Sequence, residues 1–202
     1  MRTNRLEAIS DGVLAIIITI MVLELKVPTG HHLSDLIHTT GVGLLTYLLS
    51  FLYVGIYWNN HHHMFHLVRR VSGAALWANL ALLFCLSLLP FTTAWLSESH
   101  YDRTPVIVYG LNLLAAAVAY LILQTTIIRQ EGDESPLRQA VGSDVKAKVS
   151  NGLLLAGVLS AVAITPNGHV GVWIALACYI GVAIIWIIPD RRIDRLVHQH
   201  EA

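Results

Sequence analysis

Charge is what this sequence has least of. Only 13% of its 202 residues are Asp, Glu, Lys or Arg, while 55% are hydrophobic. A soluble domain carries about 25% charged residues. The shortfall excludes a disordered chain, a nucleic-acid binder with a basic surface and an ordinary soluble enzyme. Cysteine is scarce. Cys85 and Cys178 both stand inside apolar runs, where a thiol reads as a small core hydrophobe and not as half of a structural disulfide. No polar stretch can bury a core of its own; the longest runs from Arg129 to Val149. No small-x-small cleavage site follows the first apolar run, so that run reads as a retained span and not as a signal peptide. A nucleophile–base pair, a pair of carboxylates and a phosphate-binding loop are all missing, and nothing points to an enzyme. No repeat relates the two halves, which leaves an inverted-repeat transporter without support.

What is present is length in apolar runs. A membrane helix needs about 20 mainly apolar residues, and six stretches qualify, at about 8–27, 41–60, 74–96, 105–128, 149–165 and 170–189. The expected fold is therefore all-α: one polytopic, six-helix transmembrane domain over residues 1–202. The basic residues test the count. With the N-terminus placed in the cytoplasm, 11 of the 13 Lys and Arg fall in inside segments, and only Lys26 and Arg103 fall outside. An odd number of spans would spoil that asymmetry, so both termini are expected to be cytoplasmic. Ala115 and Ala119, and Gly152, Ala156 and Ser160, sit one helical turn apart. That spacing lets helix backbones approach, either within the subunit or between subunits.

Ionisable groups inside a span are costly and are the first places to look for function. The first span opens Arg5-Leu6-Glu7-Ala8-Ile9-Ser10-Asp11 and then stays apolar, apart from Thr19, until Glu24. At about 100° per residue, Ile16, Ile20, Leu23 and Val27 share one stripe, and Asp11 projects from nearly the opposite side. Taken alone, such a stripe reads as a face toward lipid or neighbouring helices. Asp11 reads as a hydrogen-bond acceptor or as an ion site. The second span ends Trp58-Asn59-Asn60-His61-His62-His63-Met64-Phe65-His66. His62 and His66 are four apart, a spacing able to ligate zinc, but no third ligand is evident; solvated or hydrogen-bonded histidines are the simpler reading. Asn79 in lipid needs a partner. By depth, Asp11, Asn60, His61, His62, Trp77 and Asn79 fall in one inner layer, and a polar cluster tying the first three helices together would satisfy them.

These residues resemble a known family. Arg5-x-x-x-Ile9-Ser10-Asp11 is similar to the Arg-x-x-x-Phe-Ser-Asp signature of the transmembrane protein 175 potassium-channel family, in its prokaryotic single-repeat branch, with Ile9 where the family usually has Phe. Trp58, Asn60, His61 and His62 resemble the family's second-helix ending, and Trp77, Asn79 and Pro90-Phe91 its third helix. The likeness covers about the first 95 residues. It implies a homotetramer in a prokaryotic cell membrane, with a central pore lined by the first helix. It maps the pore constriction to Ile16, Ile20 and Leu23, places Thr19 beside it, and puts Arg5, Ser10, Asp11, His62, Trp77 and Asn79 in a structural hydrogen-bond network. It implies no cofactor and no metal; potassium is the ion expected in the pore, and monovalent cations, the bilayer and further copies of the chain are the partners. The Thr-Val-Gly-Tyr-Gly filter of ordinary potassium channels is absent here as in the family.

The function that follows is a passive, potassium-permeable channel closed by an apolar ring, with modest preference for potassium over sodium. The competing reading is a small ion- or proton-coupled transporter centred on Asp11.

Overall fold

The computed structural model describes residues 3–68, 71–132, 135–142, 144–164 and 169–187. Arg2, Arg69, Arg70, Arg191, Arg192 and Arg195 lie outside them. The described residues form eight helices: α1 (Thr3–Leu23), α2 (Leu33–His66), α3 (Gly73–Ser87), α4 (Leu89–Glu98), α5 (Arg103–Glu131), α6 (Pro136–Val141), α7 (Val145–Ala163) and α8 (Val170–Ile187). With α3 and α4 taken as one rod, six segments are long and apolar enough to cross a membrane.

Local chemistry sets the ends of these helices. α1 begins before the expected span and stops four residues earlier. Pro28 has no N–H and biases Val27 toward extended backbone, so Val27 lies past the helix and the apolar stripe ends at Leu23. α2 is far longer than the expected 41–60. Its 34 residues reach about 50 Å at 1.5 Å per residue, against about 30 Å of hydrocarbon. At its start the His32 N–H donates to the Asp35 carboxylate at 3.0 Å, satisfying an amide that the helix cannot. The third span is broken at Leu88. Pro90, at the start of α4, cannot donate back along the helix, and the Thr92 hydroxyl donates to the Leu88 carbonyl at 3.2 Å.

Consecutive helices run up and down. At one end Ser72 N–H meets the Gln130 side chain at 3.0 Å, and the Gln124 amide donates to Asp144 at 3.1 Å. At the other end the Thr40 hydroxyl donates to the Lys26 carbonyl at 2.6 Å, and Lys26 pairs with Glu98 at 3.2 Å. Arg103 donates there to the Ala161 carbonyl at 2.7 Å and also to the Val162 carbonyl, capping α7. Arg5, Arg129, Arg138, Lys146 and Lys148 therefore collect at the first end, and Lys26 and Arg103 at the second.

The core runs through α5, which packs against α3, α4, α7 and α8. Its fully buried side chains include Tyr109, Leu113 and Leu123. Tyr179 of α8 is the keystone of the second half. Its ring fills the space over Gly110 and Gly157, and its hydroxyl donates to the Val106 carbonyl at 3.3 Å. A Cβ at Gly110 would overlap that ring, and one at Gly157 would stand 2.7 Å from it. The small-residue spacing is thus used differently from its sequence pattern. Gly152 and Ala156 are exposed, and the close approaches fall on Gly157 and on Ser160, whose carbonyl oxygen would lie 2.4 Å from a Cβ on Gly171.

Gly110→Ala is expected to cost about 1–3 kcal/mol through overpacking. Gly152→Ala, which meets open space, is expected to stay within about 0.5 kcal/mol of wild type. Thermal unfolding of the two purified variants in one detergent checks the contrast.

Candidate functional site

α1 has two faces. Leu6, Ser10, Leu14, Ile17 and Met21 are buried against α2, α3 and α4. Ile16, Ile20 and Leu23 stand 59%, 42% and 80% exposed, and Ile9 shares their stripe. The Thr19 hydroxyl donates to the Ile16 carbonyl at 2.9 Å, so it is satisfied inside the helix while its side chain stays exposed beside the stripe. An exposed apolar face on a membrane helix meets lipid or another protein surface, and the described residues leave this one largely uncovered.

Behind the stripe lies a short polar chain. Asn79 of α3 is fully buried. Its amide donates to Ser10 Oγ at 3.1 Å, and its carbonyl oxygen lies 2.8 Å from His61 Nε2. Ser10 in turn donates to the Leu6 carbonyl at 2.9 Å. Three helices are tied at one depth with every hydrogen-bonding atom of the carboxamide oxygen and hydroxyl in use. Beside this chain Trp58 Nε1 donates to Asp11 at 3.1 Å, and the Trp58 ring stacks on His62 with centroids 6.1 Å apart. His62 and His66 face each other, Nε2 to Nε2, at 3.1 Å.

Ser10 and Asn79 therefore meet as expected, and Asp11 lies beside them. The other network residues are placed differently. Arg5 is exposed; it lies about 140° around α1 from Ser10, too far to face α3. Trp77 is 76% exposed, because two positions along a helix rotate about 200°, so a buried Asn79 turns Trp77 outward. His61, one residue from His62, faces α3, while His62 turns toward Trp58 and His66. Among the described residues no group of three His, Cys, Asp or Glu side chains converges as a metal site would require.

A second polar layer went unread in the sequence. Ser50 of α2 lies 2.7 Å from Thr93 Oγ1 and 3.0 Å from the Tyr109 hydroxyl. Three residues on, Tyr53 donates to the Tyr179 carbonyl at 2.7 Å. The only signal was that Thr46, Ser50 and Tyr53 recur on one face of an apolar helix, which a search for charged groups passes over.

The family model described as endosomal/lysosomal potassium channel TMEM175 matches residues 5–90. A protein of Chryseobacterium sp. strain P1-3, named a potassium channel, is 48% identical over 200 residues, which cover 99% of this chain and all of that one. The chain belongs to the TMEM175 family. A Streptomyces collinus protein, also named a potassium channel, is 38% identical over 128 residues, 60% of this chain and 62% of its own length. The crystal structure of a lysosomal potassium-selective channel TMEM175 homolog from Chamaesiphon minutus aligns at a TM-score of 0.75 and 30% identity, covering 92% of this chain and 96% of that one. The six-helix architecture is thus that of a TMEM175 channel fold. The family match takes in both α1 faces, the Ser10–Asn79–His61 chain and the break before Pro90.

Asn79→Leu is expected to lower stability by about 1–2 kcal/mol, because Ser10 and His61 each lose a partner where no water replaces it. Trp77→Leu, on the exposed side of the same helix, is expected to change it by less than about 0.5 kcal/mol. Paired melting curves distinguish the two.

Proposed function

We propose that the protein is a passive, potassium-permeable cation channel, assembled as a homotetramer in a cell membrane with both termini in the cytoplasm. The observation that carries this reading is the uncovered α1 stripe. α1 is held on its polar side by the Ser10–Asn79 bond, yet the described residues leave Ile16, Ile20 and Leu23 largely open. Four copies turned inward would make three stacked apolar rings on the axis. The names of the bacterial relatives support potassium as the ion, since three of them are called potassium channels.

In this assembly the rings of Ile16, Ile20 and Leu23 form the constriction. A narrow apolar ring empties of water and blocks ions without a moving plug, and modest widening rewets it. No backbone carbonyls line such a ring to replace a hydration shell, so preference for potassium over sodium is modest. Thr19, adjacent to the rings, offers the nearest hydroxyl. Arg5, Ser10, Asp11, His62, Trp77 and Asn79 belong to the surrounding frame, with Arg5 and Trp77 on faces open to a second copy. Glu24, exposed beyond the end of α1, would put four carboxylates near the outer mouth and enrich cations there. The clustering of Arg5, Arg129, Arg138, Lys146 and Lys148 at one end supports placing that end in the cytoplasm.

A transporter centred on Asp11 finds no support in the geometry. Asp11 accepts from Trp58 at 3.1 Å and is exposed at the side of α1, and the ionisable groups near it, Glu7, His61 and His62, stand at the same end and do not continue along α1, which is apolar apart from Thr19 until Glu24.

Potassium flux from proteoliposomes tests the proposal. Wild type is expected to pass potassium down its gradient without saturating, and Ile16→Asn to raise the leak or the sodium share by about tenfold, since a hydrated ring no longer dewets. Flux absent from both, in protein shown to be folded and tetrameric, would overturn it.

A further inference from the structure

At the C-terminal end of α2 two histidines meet each other. His62 and His66 are one helical turn apart and both are exposed. Their Nε2 atoms lie 3.1 Å apart, with the rings edge to face and their centroids separated by 4.4 Å. As a neutral pair, one ring donates and the other accepts. The same spacing is the bite of a chelate. An imidazole nitrogen binds zinc at about 2.0–2.1 Å, so two on one ion stand about 2.9 Å apart at a right angle and about 3.4 Å apart at the tetrahedral angle. The observed separation falls between these limits. Two histidines four apart on one helix face are also the pair that helical zinc sites use.

The pair is oriented by its surroundings. The His62 ring stacks on Trp58, with 14° between the planes, and Trp58 donates to Asp11 at 3.1 Å. Adjacent His61 turns the other way; it is committed to Asn79 at 2.8 Å and packs on Phe65. A ring already held in place loses less freedom when it takes a ligand. The carboxylates of Asp11 and Glu7 act electrostatically on His61, as His62 does, so negative charge stands at this end of α1 and α2. Among the described residues no third His, Cys, Asp or Glu converges with the pair. A closed, four-ligand structural site is therefore excluded, and an open chelate facing solvent is what the geometry offers. Magnesium and calcium, which take oxygen ligands, gain nothing from it. Copper(I) finds no thiolate there. Divalent zinc, nickel and copper are the ions that two imidazoles suit.

We infer that His62 and His66 bind one divalent transition-metal ion of the zinc class per chain, in an open site completed by water. The ring that donates in the metal-free pair moves its proton to Nδ1, and both Nε2 lone pairs turn to the ion. The ion staples the last turn of α2. Because Trp58 stacks on His62 and bonds Asp11, occupancy also steadies the contact of α2 with α1.

Calorimetric titration of the purified full-length protein, carrying no histidine tag, with Zn2+ tests the site. Wild type is expected to bind one ion per chain. His62→Gln and His66→Gln are each expected to weaken binding by about tenfold or more. His31→Ala combined with His32→Ala, at the other end of α2, is expected to leave the affinity unchanged, and so is about a hundredfold excess of Mg2+. A second readout serves if either glutamine variant does not fold. Cu2+ quenches tryptophan emission at short range, and the quenched share in wild type is expected to be the share that Trp58→Phe lacks. The inference is overturned by wild type that binds no Zn2+ saturably, by binding that survives both glutamine substitutions or yields to Mg2+, or by equal quenching in wild type and Trp58→Phe. Because the readouts are bound metal and emission, the result is independent of whether the channel reading holds.

Discussion

The carboxamide of Asn79 is committed at both ends. Its nitrogen reaches Ser10 on α1 and its oxygen reaches His61 on α2. In hydrocarbon an unpaired amide costs several kcal/mol, so α1 cannot rotate or slide past α3 without breaking a bond that no solvent would replace. That constraint fixes which side of α1 faces inward. With Ser10, Leu14, Ile17 and Met21 turned to the bundle, the residues on the far side are left largely open by the described residues of their own chain. The exposed stripe of Ile9, Ile16, Ile20 and Leu23 is the geometric consequence of satisfying one buried polar group.

α2 carries the same logic across the membrane. Its inner end holds His61 and Trp58, one bonded to Asn79 and the other to Asp11. About two turns away Ser50 and Tyr53 reach α4, α5 and α8. Two polar layers at different depths set the register of α2 against every neighbour, where apolar contacts alone would let helices slide in lipid. Tyr179 then locks α8 to α5 and α7, and only glycine at 110 and 157 leaves room for its ring. The two halves of the molecule are thus joined by hydroxyls and rings, with the Lys26–Glu98 pair at the surface adding little.

The six spans were legible in the sequence, because hydrocarbon thickness acts on composition directly. The residues of the α1 stripe were legible from periodicity and Asn79 from the scarcity of polar groups at that depth, whereas Ser10 entered the network only through the family resemblance. Helix length was not. Residues 33–40 include Ser34, Asp35, His38 and Thr40, which end a hydropathy window but do not end a helix. Nor was the partner of Asn79 legible to the residue: His61 and His62 are adjacent, and only the facing helix decides which of them turns inward. Trp77 shows the same effect, since depth placed it in the polar layer and rotation put it on the outside. Pro90 appeared only as part of a motif, yet it also divides the third span by withholding a donor.

Rigidity on one face of α1 and exposure on the other suit a hydrophobic constriction better than a binding site. Dewetting depends steeply on radius, so the side chains that set the radius must not drift. An isoleucine has a stiff, branched χ1, and its backbone here is pinned by the chain through Ser10 on the opposite side. In the proposed tetramer the pore radius would then respond to how subunits pack around the axis, and hardly at all to motion within one subunit. Flux would accordingly be controlled from surfaces that a single chain leaves open, among them those where Trp77, Phe84 and Phe91 stand exposed. Large aromatic side chains on such a surface bring much contact area for few rotatable bonds. In the proposed tetramer they would be groups through which a small change in subunit contact reaches Ile16, Ile20 and Leu23.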